Sequence, residues 1–220
     1  MKINATLQKL IAEFLGASLF LTAIGAHIGS GGGTQLSTAG IAITLGLAIL
    51  ITAGISGGHL NPIVSLYFYS KKEISLSDLL GYVVAQIAGG LFGIWIGLSI
   101  WGKNIAPIST SGNATLPELI GEWVITGGLV FLVGYLASNK KGNLIPVAVA
   151  LWVFAGIQLT TTGAQANPAV TIALLLAGHP VGVQGGLILA QVVGAATAII
   201  GISVFNAKAV KPKAKKAAKK

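Results

Sequence analysis

Polar positions divide the chain into long apolar blocks, at roughly residues 10–28, 39–57, 79–101, 119–137, 144–162 and 181–205. A helix needs about 20 mostly apolar residues to cross a bilayer, so each block predicts a spanning helix. Two blocks carry a carboxylate inside them, Glu13 in the first and Glu122 in the fourth. Two shorter uncharged runs, 61–69 and 167–177, follow blocks two and five. They are too short to cross and read as re-entrant half-helices, which are tolerated at membrane depth where protein or a wet pathway surrounds them. The predicted fold class is an all-α membrane protein with six transmembrane helices and two re-entrant half-helices.

The second half of the chain repeats the first. At an offset of 105–109 residues, Leu10-Ile11-Ala12-Glu13-Phe14 lies over Leu119-Ile120-Gly121-Glu122-Trp123, Asn61-Pro62-Ile63-Val64-Ser65 over Asn167-Pro168-Ala169-Val170-Thr171, and Ala85-Gln86 over Ala190-Gln191. Repeat one covers about 8–101 and repeat two about 117–205, together one channel-like domain over 1–205. Three spans per repeat force the copies into opposite orientations, with a functional site near mid-bilayer. At about 1.5 Å per residue the two half-helices each rise about 14–16 Å, so two entering from opposite faces cover the roughly 30 Å hydrocarbon core.

Asn-Pro opens both half-helices. Asparagine is a favoured N-cap, and proline at the first helical position gives up an N–H that has no partner there. One isolated Asn-Pro would mean no more than a helix start. Two repeat-related copies inside a membrane predict a shared site, where the positive ends of the half-helices face each other and the amides retain donors for a solute. The lead-ins Gly57-Gly58-His59-Leu60 and Gly163-Ala164-Gln165-Ala166 would be irregular backbone, whose carbonyls are acceptable at that depth only along a wet pathway.

Composition closes off other classes. The chain is 54% hydrophobic and 9% charged, with mean hydropathy +0.84, against about 25% charged for a soluble domain. Cysteine is absent, which removes disulfide frameworks and thiolate sites, and all fourteen basic residues are lysine. Lys2, Lys9, Lys71, Lys72, Lys140, Lys141 and the seven after 205 fall on one side of the predicted topology and only Lys103 on the other. The positive-inside rule therefore puts both termini in the cytoplasm. Lys2, Lys9 and the first apolar run resemble a secretory signal, but the internal repeat needs that span. Residues 206–220 form a basic tail too polar to pack, predicted to be disordered and cytoplasmic, with some attraction to anionic lipid. It lacks aromatics and arginine past Phe205, so nucleic-acid binding fits badly.

Taken with Tyr82 and the Ala85-Gln86 pair, these motifs make the chain resemble an aquaporin or aquaglyceroporin of the major intrinsic protein family over about residues 8–205. The resemblance implies a right-handed six-helix bundle, two Asn-Pro-Ala half-helices meeting in a pore, a homotetramer with one pore per subunit, and passive flow of water or small uncharged solutes of the glycerol, urea or ammonia class. The pore motifs would be Asn61, Pro62, Ile63 and Asn167, Pro168, Ala169. The family's spacing puts the outer constriction at Ile41, Ala155, Ala164 and Val170. Two departures stand out: Ile63 replaces the first motif's usual alanine, and Val170 replaces the filter arginine. None of the four constriction positions is polar, which predicts a wide apolar mouth.

Glu13 and Glu122 should point into the bundle, since a carboxylate facing lipid is costly. Their matched positions suggest that they accept backbone N–H groups of the lead-ins. His59 reads as lining a vestibule or packing its loop, while His27 and His179 have no ligand partners at metal spacing and receive no role. The small residues Gly81, Ala85, Gly89, Gly93, Gly97 and Gly186, Ala190, Gly194, Ala198 form stripes that let helices cross closely. An ion-coupled secondary transporter also uses inverted repeats, but it usually needs more ionisable groups within spans than two. No nucleophile–base or metal constellation supports an enzyme, and no cofactor is implied.

Overall fold

A computed structural model describes residues 4–32 and 35–206. Its helices are α1 (Ala5–Gly29), α2 (Gln35–Ser56), α3 (Pro62–Ser70), α4 (Leu76–Ile100), α5 (Leu116–Ser138), α6 (Ile145–Leu159), α7 (Pro168–Ala173) and α8 (Val181–Phe205). Among the described residues, six segments are long and apolar enough to cross a membrane, and α3 and α7 are the short pair between them. The basic tail, Lys2 among the counted lysines, and the orientation they imply lie partly outside the described residues.

Several helices begin earlier than the apolar blocks because polar residues cap them. Asn4 accepts from the Thr6 N–H at 2.8 Å, Ser75 accepts from the Asp78 N–H at 3.0 Å, and Thr115 with Glu118 forms a capping box ahead of Pro117. Such caps supply partners for N–H groups that the helix itself leaves free. Helix α6 stops at Leu159, short of the expected 162, because Thr160 is already extended at φ −124°. The second half-helix is α-helical only over Pro168–Ala173 and tightens into a 3-10 turn over Leu174–Ala177.

The α1–α4 crossing shows what the small-residue stripe does. A Cβ at Gly25 would lie 2.6 Å from the Ile94 carbonyl, and Cβ atoms at Gly89 and Gly93 would press on the carbonyls of Phe14 and Ser18. The repeat-related α5–α8 crossing does the same through Gly194 against Trp123. With lipid as apolar as the side chains, backbone-close packing of this kind is what holds membrane helices together. The bundle encloses a core built from α1, α2, α5, α6 and both lead-ins, with Phe20, Leu60, Val153 and Ala166 among its buried members.

Candidate functional site: a pore between the two half-helices

Both lead-ins adopt backbone that side chains ordinarily avoid. Leu60, Ala164 and Ala166 have φ of +49°, +53° and +46°, alongside Gly57, Gly58 and Gly163 at positive φ. Non-glycine residues in this region cost roughly 1 kcal/mol or more each, so something must hold them. Two buried carboxylates do. Glu13 Oε1 accepts from Ser56 Oγ at 2.5 Å and the His59 N–H at 3.0 Å, while Oε2 accepts from the Leu60 N–H at 2.7 Å and Gln86 Nε2 at 2.6 Å. Glu122 repeats the pattern with Thr162 Oγ1 at 2.5 Å, the Gln165 N–H at 3.0 Å, the Ala166 N–H at 2.8 Å and Gln191 Nε2 at 2.8 Å. Four donors on each carboxylate leave neither free to bind a transported ion.

The half-helices meet through their asparagines. Asn61 and Asn167 cap their own helices, accepting from the Ile63 and Ala169 N–H groups at 2.9 Å each. Each amide also crosses the pseudo-two-fold: Asn61 Nδ2 donates to the Ala166 carbonyl at 2.8 Å, and Asn167 Nδ2 to the Leu60 carbonyl at 2.9 Å. A primary amide has a second N–H, and both asparagines line a cavity that opens toward the side of the chain's termini. Gly57, Gly58 and His59 line it too. His59 is fixed by Ser65 Oγ at 3.1 Å from Nδ1 and stacks on Phe68 at 4.6 Å.

A second cavity opens on the far side, lined by Ile41, Gly163, Ala164, Gln165 and Val170 among others. Ala155, expected there from spacing, is not on this wall. The α6 side chains that face the cavity are Val153 and Ile157, and a residue two positions from each lies about 200° round a helix, so Ala155 faces away. The pore-facing stripe of α6 is Ile145, Val149, Val153 and Ile157, a four-residue period that was readable in the sequence. Ile63 lies off the pore, buried with Tyr67, Val130 and Ala198. His27 and His179, given no role from sequence, both line the far-side cavity. His27 Nδ1 pairs with Ser37 Oγ at 2.8 Å, and burial holds the His179 imidazole below the ordinary histidine range.

A family model described as Major intrinsic protein matches residues 1–162. The chain belongs to the major intrinsic protein family. Among curated relatives it is 34% identical over 177 residues to an aquaglyceroporin of Toxoplasma gondii, covering 77% of this chain and 65% of that protein. It is 31% identical over 209 residues to a glycerol uptake facilitator protein-like 6 of Lactiplantibacillus plantarum, covering 86% and 94%. In fold it is similar to the X-ray structure of the aquaglyceroporin from Plasmodium falciparum, with a TM-score of 0.72 at 21% identity, over 91% of this chain and 97% of that one. The all-helical bundle of this major intrinsic protein, with six spanning helices, is thus the family's fold in a multi-pass integral membrane protein.

Proposed function

We propose that the chain is a passive channel for water and small uncharged solutes of the glycerol, urea or ammonia class. The observation that carries this reading is the pair of cavities that share Phe20, Val153, Ala164 and Gln165 beside the Asn61–Asn167 junction, with no carboxylate or lysine among the described residues that line either one. The N-terminal ends of both half-helices point at that junction, which disfavours cations while the spare amide N–H groups attract lone pairs. Coupling to an ion gradient would need an ionisable group free to exchange its partner, whereas Glu13 and Glu122 are each saturated by four donors. Relatives named as an aquaglyceroporin and a glycerol uptake facilitator support the solute class.

In this reading Asn61, Pro62, Asn167, Pro168 and Ala169 build the centre, with Ile63 packed behind it. Ile41, Ala164 and Val170 form a permissive far-side mouth, and Gly57, Gly58, His59, Gly163 and Gln165 line the approaches. The working protein is a homotetramer in a prokaryotic plasma membrane, with both termini cytoplasmic as the lysine distribution favours. It is a channel and not an enzyme. Osmotic shock of proteoliposomes, followed by light scattering for water and then glycerol and urea, tests the function. Flux above that of empty vesicles and indifferent to proton or sodium gradients is expected. Gradient-driven accumulation, or no flux of any of the three, would overturn it.

A further inference from the structure

The ring of His59 is held from three directions. Phe68 stacks on it at 4.6 Å with the planes 18° apart, Tyr82 meets it edge-on at 5.3 Å, and Ser65 Oγ lies 3.1 Å from Nδ1. Ser65 is fully buried, and its hydroxyl has one hydrogen and two lone pairs to place. Gln86 Nε2 donates to Ser65 Oγ at 3.0 Å and to Glu13 Oε2 at 2.6 Å. The carboxylate fixes that orientation, because a flipped amide would set its carbonyl oxygen against Glu13. In the other repeat Thr171 Oγ1 likewise accepts from Gln191 Nε2 at 2.9 Å, and it gives its hydrogen to the Asn167 carbonyl at 3.1 Å. Ser65 makes no matching bond to Asn61. Among the described residues, the acceptor left for its hydrogen is His59 Nδ1.

A buried hydroxyl hydrogen without an acceptor is penalised, so Nδ1 is bare and the ring hydrogen sits on Nε2. An imidazolium, with hydrogens on both nitrogens, would orphan the same hydroxyl hydrogen. Nε2 and Cδ2 form the ring edge beside Gly57, where an added Cβ would lie 3.0 Å and 3.1 Å from them. No protein group accepts from Nε2, yet it is not sealed off: among the described residues, the buried side-chain polar atoms without a partner are Gln86 Oε1, Thr126 Oγ1 and Gln191 Oε1. Nε2 therefore reaches open space, and of the two pore cavities His59 and Gly57 line only the near-side one. We infer that Ser65 is a positioning residue that holds His59 in its Nε2–H form, so that this ring offers the near-side approach a donor and no acceptor. The inference rests on the channel reading above and narrows what the approach selects. A lone pair, as on water, a hydroxyl or a urea carbonyl, finds a partner at the ring, and an ammonium ion, which has none, does not.

The test is nitrogen NMR of the full chain in lipid bilayers with isotope-labelled histidine, His59 being assigned by the signals that vanish in His59→Gln. Near neutral pH a single tautomer is expected, with bare Nδ1, protonated Nε2, and the Nε2 hydrogen in exchange contact with water. Ser65→Ala should lose that pattern, its two ring nitrogens averaging toward a common value, and Ser65→Thr, which returns the hydroxyl, should restore it. Urea permeability in proteoliposomes should follow the donor: about threefold lower in Ser65→Ala, within what one neutral hydrogen bond sustains, and recovered in Ser65→Thr. An Nδ1–H ring, a doubly protonated ring or a mixture in the unaltered protein overturns the inference, as does an Nε2 hydrogen shielded from water or a Ser65→Ala protein with unchanged tautomer and urea flux. Should the alanine variant fail to fold, Ser65→Cys, a weak donor of similar shape, decides in its place: a shift toward the mixed pattern supports the inference and an unchanged ring overturns it. Failure of the channel reading itself looks different, because the tautomer would stand while the unaltered protein passed neither water nor urea above empty vesicles.

Discussion

Replacing Glu122 with glutamine keeps the shape of the side chain and exchanges one acceptor oxygen for a donor NH2. The four donors around it then decide the outcome. With the NH2 at the Oε1 position the Thr162 hydroxyl can rotate and accept, but the Gln165 N–H is left facing another donor. With the NH2 at the Oε2 position the Gln191 amide can flip to present its carbonyl, at the loss of its 2.9 Å bond to Thr171 Oγ1, and the Ala166 N–H is still orphaned. Either way one buried backbone N–H loses its acceptor, at about 1–3 kcal/mol, and the remaining contacts fall from charge-assisted to neutral strength, together about 3–5 kcal/mol. The loss lands on a lead-in held at φ of +53° and +46° at Ala164 and Ala166, whose remaining ties are the Ala164 N–H to Thr160 Oγ1 at 2.8 Å and the Asn61 amide to the Ala166 carbonyl at 2.8 Å. Thermal unfolding of the purified protein in detergent, paired with proteoliposome water flux, measures it. Glu122→Gln should unfold several degrees lower and lose flux through disordered lead-ins, whereas Glu118→Gln in the exposed capping box should stay within about 0.5 kcal/mol of the parent, since glutamine serves there too. A Glu122→Gln protein with parental stability and altered selectivity would refute this reasoning, because the carboxylate would then be acting on solute and not on the backbone.

Three further outcomes follow from the same geometry. Val170→Arg puts a bulky cation into the far-side cavity beside Ala164 and Ile41, so glycerol and urea permeability should drop more than water permeability in osmotic-shock assays; equal reduction of all three would argue against a wide mouth. Because burial depresses the His179 pKa, the imidazole is neutral at pH 7 and gains charge only below the ordinary value of about 6.5. Its stabilising contribution is therefore complete above that value and is lost as pH falls through the lowered one, so flux and unfolding temperature should be level from pH 8 to about 6.5; a step above pH 7 that vanishes in His179→Asn would contradict this. Gly93→Val should force α4 off the Ser18 carbonyl of α1 and destabilise the fold by more than 2 kcal/mol or so, seen as a lower unfolding temperature, while Gly54→Val, where a Cβ meets open space, should not.

The sequence displayed most of this architecture because a membrane leaves few alternatives. Apolar length gave six spans, and the duplicated Asn-Pro gave the two half-helices, since a backbone at mid-bilayer has to satisfy its own polar groups. Helix ends were less legible: Asn4, Ser75 and Thr115 start helices ahead of the apolar blocks, and hydropathy does not register a cap. Ala155 shows a different limit. Counting along the chain places a residue by distance from Asn167, but the face it presents is set by the rotation of α6, and Val153 with Ile157 occupies the pore side. His27 and His179 were invisible as a group because 152 positions separate them in the chain, and it takes the closed bundle to bring both to one cavity.

The two repeats agree where they build scaffold and differ where they meet solute. Glu13 and Glu122, Ser56 and Thr162, Gln86 and Gln191, and the crossed asparagine bonds match partner for partner, to within 0.3 Å in every corresponding distance. Those contacts fix strained backbone, a task that is the same on both sides of the pseudo-two-fold. The matched pair His59 and Gln165 breaks the symmetry: one is stacked on Phe68 and tied to Ser65, the other is among the residues lining both cavities, with its amide against Gln184. Val64 and Val170, also matched, line opposite cavities, so a repeat-two position that would otherwise carry a filter cation has the same side chain as its repeat-one counterpart. In the channel proposed above, such a frame leaves side-chain amides at the centre, on Asn61 and Asn167, and only apolar side chains at Ile41, Ala164 and Val170.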